Sequence, residues 1–338
     1  MASAVKSKPS AHMVEAEDGL LFGCALDGEG GAQLVGWKEI ENGSTGDAPL
    51  WMHLDNVSER AVTWLNEKSD VPASVVNALL AKESRPRSLR VEEGLLVILR
   101  GVNLNEGANP EDMVAIRMWV EPNRIITVRY EKLLTPRDVL ADLIGSGHGP
   151  ETAPDLFVAL SEKLSLKIND VIIHLEDQLG ALEEQIDAEQ PTKLRSQLAE
   201  SRQDTVALRR YLSPQREALT NLQYDAPDWL TATHKMGIRE TADRTMRYLE
   251  DLDAARDRAV VVLDELANKM AESMNRTMYA LSIVAAIFLP VSFLTGLLGI
   301  NVGGMPGVDS GLAFWLVCGI MSVVIVLEIL ILKRLKWI

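Results

Sequence analysis

Near its C-terminus the chain carries two long apolar runs, with a single charge across both, that are hard to wrap in one soluble core. From Met278 to Ile300 there are 23 residues without a charge, and from Leu312 to Leu332 there are 21 with one, Glu328. A bilayer core about 30 Å thick is crossed by about 20 helical residues. Both runs are therefore expected to be transmembrane helices. The 11 residues between them, NVGGMPGVDSG, hold four glycines and a proline, so the spans form an antiparallel hairpin. Lys269 and Arg276 precede the first span, and Lys333, Arg334 and Lys336 follow the second; the loop carries only Asp309. The positive-inside rule places the body of the chain and the C-terminus in the cytoplasm and the loop outside. No apolar signal segment stands at the N-terminus to oppose this.

Composition sharpens the division. The 338 residues carry a net charge of −14, and residues 277–338 carry +1 of it, which leaves −15 for the body. Such acidity argues against a nucleic-acid partner. Two cysteines supply neither a disulfide framework nor a zinc ribbon. No Walker A sequence is present, so ATP is not expected as a partner.

Short strand-like runs recur at Leu20–Ala25, Pro49–Leu54, Leu95–Val102, Met113–Val120 and Arg124–Tyr130, with helical patterns at Ser58–Glu67 and Pro72–Ala81. After Pro154 the period becomes helical almost throughout, over about Asp155–Asp187, Thr192–Leu222 and Trp229–Ile300. The expected fold is an α+β membrane protein. A cytoplasmic α/β domain (1–150) precedes a long-helix stalk (151–276) and a transmembrane hairpin (277–338). The hairpin divides into spans 278–300 and 312–332, an outer loop 301–311 and a cytoplasmic tail 333–338.

The third helix has about 72 residues, roughly 105 Å at 1.5 Å per residue, so it is expected to run from the soluble body into the bilayer. One of its stripes changes character on the way. Asp253, Asp257 and Asp264 make its cytoplasmic part acidic. Met274, Met278, Leu281, Ala285, Leu289, Ser292 and Gly296 make its membrane part small or apolar. One hairpin encloses nothing, but several copies turning this stripe inward would form carboxylate rings leading to a narrow conduit. Periodicity alone serves equally for a helix-packing face and a solvated acidic face.

A tight zinc cage requires His and Cys at short spacing. His12, His53, His148, His174 and His234 are scattered, and Cys24 and Cys318 lie far apart, each read as a packing residue. The aspartates remain candidates for weak, water-mediated cation sites, or are ordinary surface charge. Glu328 is a functional candidate by its depth, or else snorkels or pairs with Lys333 or Arg334. The basic cluster Lys82, Arg85, Arg87 and Arg90 reads as local or intersubunit salt bridges.

The run SIVAAIFLPVSFLTGLLGINVGGMPG, with Pro290 in the first span and Gly299-Ile300-Asn301 at its outer end, resembles the CorA family of divalent-metal transporters. GGMPG (Gly303 to Gly307), the terminal KRLKW and YLSPQREAL (Tyr211 to Leu219) are similar to its ZntB-like, zinc-transporting branch. The tripeptide corresponds to the family's Gly-Met-Asn signature with Ile300 in the middle. The resemblance implies an inner-membrane homopentamer whose first spans line the pore, with Gly299, Ile300 and Asn301 at the outer entrance. It implies that Asn301 meets a hydrated divalent cation, which is cargo rather than cofactor. Zn²⁺ is the expected ion and proton coupling an expected property. A Mg²⁺/Co²⁺ channel and a non-transporting membrane-tethered sensor are the alternatives. An inward-negative potential favours a divalent cation by about 4.6 kcal/mol per 100 mV. No nucleophile–base pattern points to an enzyme.

Overall fold

The computed structural model describes residues 18–186, 191–300, 307 and 310–335. The chain divides into two compact units, Met1–Leu263 and Asp264–Ile338.

The first unit is built on seven strands: β1 (Leu20–Leu26), β2 (Ala32–Val35), β3 (Leu50–Asp55), β4 (Arg87–Val91), β5 (Gly94–Gly101), β6 (Val114–Glu121) and β7 (Arg124–Arg129). They lie in the order β2-β1-β3-β7-β6-β5-β4. Neighbours are antiparallel except β3 and β7, which run parallel with Trp51 opposite Ile125. β5 and β6 read as apolar runs, interrupted only by Arg100 and Arg117 before their ends, because both faces of the sheet are covered. Leu95, Val97 and Leu99 enter one core, and Leu96 and Ile98 enter the other. Gly94 is the close approach that lets this sheet pack, since a Cβ there would lie 2.1 Å from the Trp119 ring.

Helices close the sheet on both sides. α1 (Trp37–Glu41), α2 (Glu59–Glu67) and α3 (Ala73–Leu80) cover one face through Trp37, Trp64, Leu65, Val75 and Leu79. The other face packs against α4 (Thr135–Ser146), α5 (Ala153–Glu183), α6 (Pro191–Asn221) and α7 (Ala232–Leu298) through Val139, Phe157, Leu160, Leu219 and Ile238. The result is a three-layer α/β/α arrangement. α5 starts where Thr152 and Asp155 form a capping box, with Pro154 in the first turn where its missing N–H costs nothing. The expected strands and long helices are present to within a few residues. β2, α1, β4 and α4 were not expected: β2 and α1 are short, and β4 has the sequence RSLRV, which reads as a basic cluster.

The second unit holds the last part of α7 and α8 (Ala313–Arg334). Both helices are long and apolar enough to cross a membrane. The chain thus has the expected class: an α/β domain, long helices, then two apolar C-terminal helices.

Candidate functional site on helix α7

A pore-lining stripe must be left free by the chain's own packing, and α7 meets that condition. Met274, Met278, Leu281, Ala285, Leu289, Ser292 and Gly296 are all exposed within the chain. The partly covered positions of the same segment are Ile283, Ile287, Pro290, Val291 and Leu294. At about 100° per residue these two sets lie about half a turn apart on the helix. α8 has a covered face of its own, formed by Val317, Met321, Val324, Ile325, Glu328 and Leu332. Each helix thus has one covered face, and the small or apolar stripe of α7 lies on the side away from its own.

At its C-terminal end α7 closes on Gly299, whose N–H donates to the Thr295 carbonyl at 2.9 Å and the Gly296 carbonyl at 3.2 Å. Ile300 follows and is 47% exposed. Asn301 lies outside the described residues, as does the remainder of the tripeptide's surroundings up to Met305 and Pro306. Within the span, hydroxyls turn back onto the helix. Ser282 Oγ donates to the Met278 carbonyl at 2.8 Å, and Thr295 Oγ1 donates to the Val291 carbonyl at 3.0 Å. Both are satisfied without a partner from outside.

The acidic positions are occupied differently from one another. Asp253 pairs with Arg209 of α6 and with Arg256, the latter at 3.4 Å. Asp257 pairs with Arg256 at 2.8 Å. Asp264 is exposed and makes no ion pair among the described residues. Among these residues no group of three or more His, Cys, Asp and Glu side chains is arranged to hold a metal. The described histidines have other partners. His53 is buried against Thr127, His174 meets Gln178 at 2.9 Å, and His234 Nε2 meets Asp155 Oδ1 at 2.9 Å. Thr231 donates its backbone N–H to His234 Nδ1, so Nε2 carries the proton that Asp155 accepts. Cys24 is fully buried and its thiol is pushed up to about 12 by burial, as a packing residue requires.

One expectation changes. Glu328 does not pair with Lys333 or Arg334 among the described residues: it lies on the covered face of α8, with Oε2 buried and without a hydrogen bond. The basic cluster makes one local salt bridge among the described residues, Arg90 to Glu93 at 4.0 Å, and Arg90 also donates to the Glu92 carbonyl. The buried guanidiniums are instead Arg100 and Arg117, in β5 and β6. Their signal is a charge inside the apolar strand runs LLVILRG and VAIRMWV.

Residues 46–334 match the family model described as CorA-like Mg²⁺ transporter protein. The chain is 38% identical to the divalent cation transporter CmaX of Pseudomonas aeruginosa over 324 residues, covering 95% of this chain and 97% of that protein. It is 36% identical to the zinc transport protein ZntB of Pectobacterium carotovorum over 319 residues, covering 94% and 96%. The solved structure of full-length CmaX superimposes with a TM-score of 0.82 at 37% identity, over 96% of this chain and 100% of that one. These relatives are transporters, not enzymes. With the match spanning β3 to β7, the long helices and both apolar helices, the chain belongs to the CorA-like Mg²⁺ transporter family.

Proposed function

We propose that this protein transports divalent metal cations across the inner membrane, with Zn²⁺ as its principal cargo. It works as a homopentamer in which the uncovered stripe of α7 from each copy faces a common axis. The observation that carries this reading is the opposition on α7 between the covered face at Ile283, Ile287 and Leu294 and the free face at Leu281, Ala285 and Ser292. A helix whose packing face points one way and whose small, uncharged face points the other is suited to surround a conduit with its copies. Membership of a transporter family and likeness to relatives named for zinc and for divalent cations support the same reading.

Five copies of Asn301 at the outer mouth offer side-chain amides that hydrogen-bond to a cation's water shell without stripping it. That suits ions that lose water reluctantly. Gly299 and Ile300 carry that loop. On the inner side Asp264 and, in part, Asp257 give a weak, water-mediated cation path; Asp253 is already neutralised by two arginines. Both termini face the cytoplasm, and an imposed proton gradient contributes to the driving force.

Purified protein in liposomes is expected to take up Zn²⁺ faster than Mg²⁺ or Co²⁺, and faster with an imposed pH gradient. Asn301→Ala is expected to reduce uptake about tenfold or more. Unchanged uptake in that variant would remove Asn301 from the entrance, and preference for Mg²⁺ over Zn²⁺ would move the chain to the magnesium branch.

A further inference from the structure

The sheet domain carries a cavity with two buried guanidiniums, Arg100 and Arg117, on its wall. It has a volume of about 490 Å³, and Lys82, Arg100, Arg117, Tyr130 and Tyr211 are on its wall. That volume falls within the roughly 300–1,000 Å³ typical of small-molecule sites. Arg117 is 1% exposed. Its Nη2 donates to the carbonyls of Ala81 at 2.8 Å and Lys82 at 3.3 Å, while Nε and Nη1 have no partner. Arg100 donates to the carbonyls of Met113 and Ser84, and its Nε is likewise without a partner. The Arg100 guanidinium lies over the Tyr211 ring, 4.1 Å from its centroid.

Every hydrogen bond these two cations make is to a neutral oxygen of the backbone. No carboxylate forms an ion pair with either one among the described residues. Glu83, Asp112 and Glu131 are also on the wall, and the field of Glu131 reaches both guanidiniums without pairing. Burial holds both guanidiniums below their ordinary value, and the charge of Arg100 adds to the effect on Arg117. A buried charge is stable when a counter-charge and full hydrogen bonding accompany it. Planar guanidiniums with spare N–H groups match the oxygens of phosphate and carboxylate.

We infer that this cavity binds a small oxyanion, a phosphorylated or carboxylated molecule whose charged group sits against Arg100, Arg117 and Lys82. The tyrosine rings provide the adjoining wall for the rest of the molecule. The site is independent of the transport reading, because it lies wholly within the sheet domain and α6.

Calorimetric titration of the full-length protein in detergent tests this, with sodium phosphate and sodium citrate as probes against sodium chloride at matched ionic strength. Saturable binding of phosphate or citrate is expected, and whichever binds more tightly identifies the charged group as phosphoryl or carboxyl. Arg100→Gln is expected to weaken binding about tenfold or more. Lys82→Ala, an exposed position that leaves the fold intact, is expected to weaken it several-fold. Lys193→Ala, at the start of α6, leaves it unchanged. Absence of saturable binding by both probes, an equal response to chloride, or unchanged affinity in both Lys82→Ala and Arg100→Gln would overturn the inference.

Discussion

Thr127 has one hydroxyl proton, and three buried neighbours share that hydroxyl. Its Oγ1 donates to the Met52 carbonyl at 3.0 Å, so it must accept from Trp51 Nε1 at 3.0 Å and from His53 Nδ1 at 2.8 Å. His53 therefore carries a proton on Nδ1, and burial, which pushes its pKa down to about 3 from 6.5, keeps the ring neutral at neutral pH. The folded chain refuses a proton that the unfolded chain accepts. Stability from this group is complete above pH 6.5 and is lost as pH falls from there towards 3. Thermal melts of the wild type should show a falling midpoint below pH 6.5, with a shallower fall in His53→Gln; equal slopes would contradict the assignment. Thr127→Val strands two buried donors and should destabilise by about 1–3 kcal/mol for each. None of this network was legible in the sequence, which shows a lone histidine in WMHLD and a threonine in RIITVR. The two meet only because β3 and β7 run parallel in that register.

Among the elements, the spans of α6 and α7 were both legible, but their surroundings were not. An unbroken helical period from Trp229 to Pro290 announces a helix that outruns any globular body. The stripe of small residues follows from counting along it. The covered face could not be read, because isoleucine, valine and leucine serve equally against lipid and against a neighbouring helix. The two faces should respond differently to truncation. Ile287→Ala should lower the melting temperature with flux per folded protein retained, whereas Leu281→Ala should change flux with little loss of stability. A reversed pattern would exchange the faces. On α6, Asp204 borders a groove with Glu111 and Glu200, and burial followed by these two charges pushes its carboxyl up to about 6 from 3.8. The folded chain holds this proton more tightly, so Asp204 is unfavourable at neutral pH and the penalty fades as pH falls from 6 towards 3.8. Asp204→Asn should raise the melting temperature at pH 7.5, and the gain should shrink by pH 5. A pH-independent gain would contradict it. A charge pattern along a sequence shows neither the groove nor the loop that brings Glu111 to it. Arg117 differs: its signal, a charge inside the apolar run VAIRMWV, was present in the sequence.

At the scale of the whole molecule the sequence was most informative. Two apolar runs near the end, basic residues on one side of each and an acidic body together specify a membrane protein before any residue is placed in space. The number of copies around the axis has no signature in one chain, because the contacts that set it lie on exposed faces. Mass measurement of the detergent-solubilised particle should give five copies of the 37.2 kDa chain; a stable monomer or dimer would leave the stripe of α7 with nothing to enclose. The most direct measurement places a cysteine on that stripe. In a Cys318→Ser background, Ala285→Cys protein is reconstituted in liposomes and Zn²⁺ uptake is followed before and after a charged, membrane-impermeant thiol reagent. Uptake should fall to background on modification, while a cysteine at Ile287, on the covered face, should leave it unaffected. Full uptake through modified Ala285→Cys protein would contradict a conduction path along this face of α7.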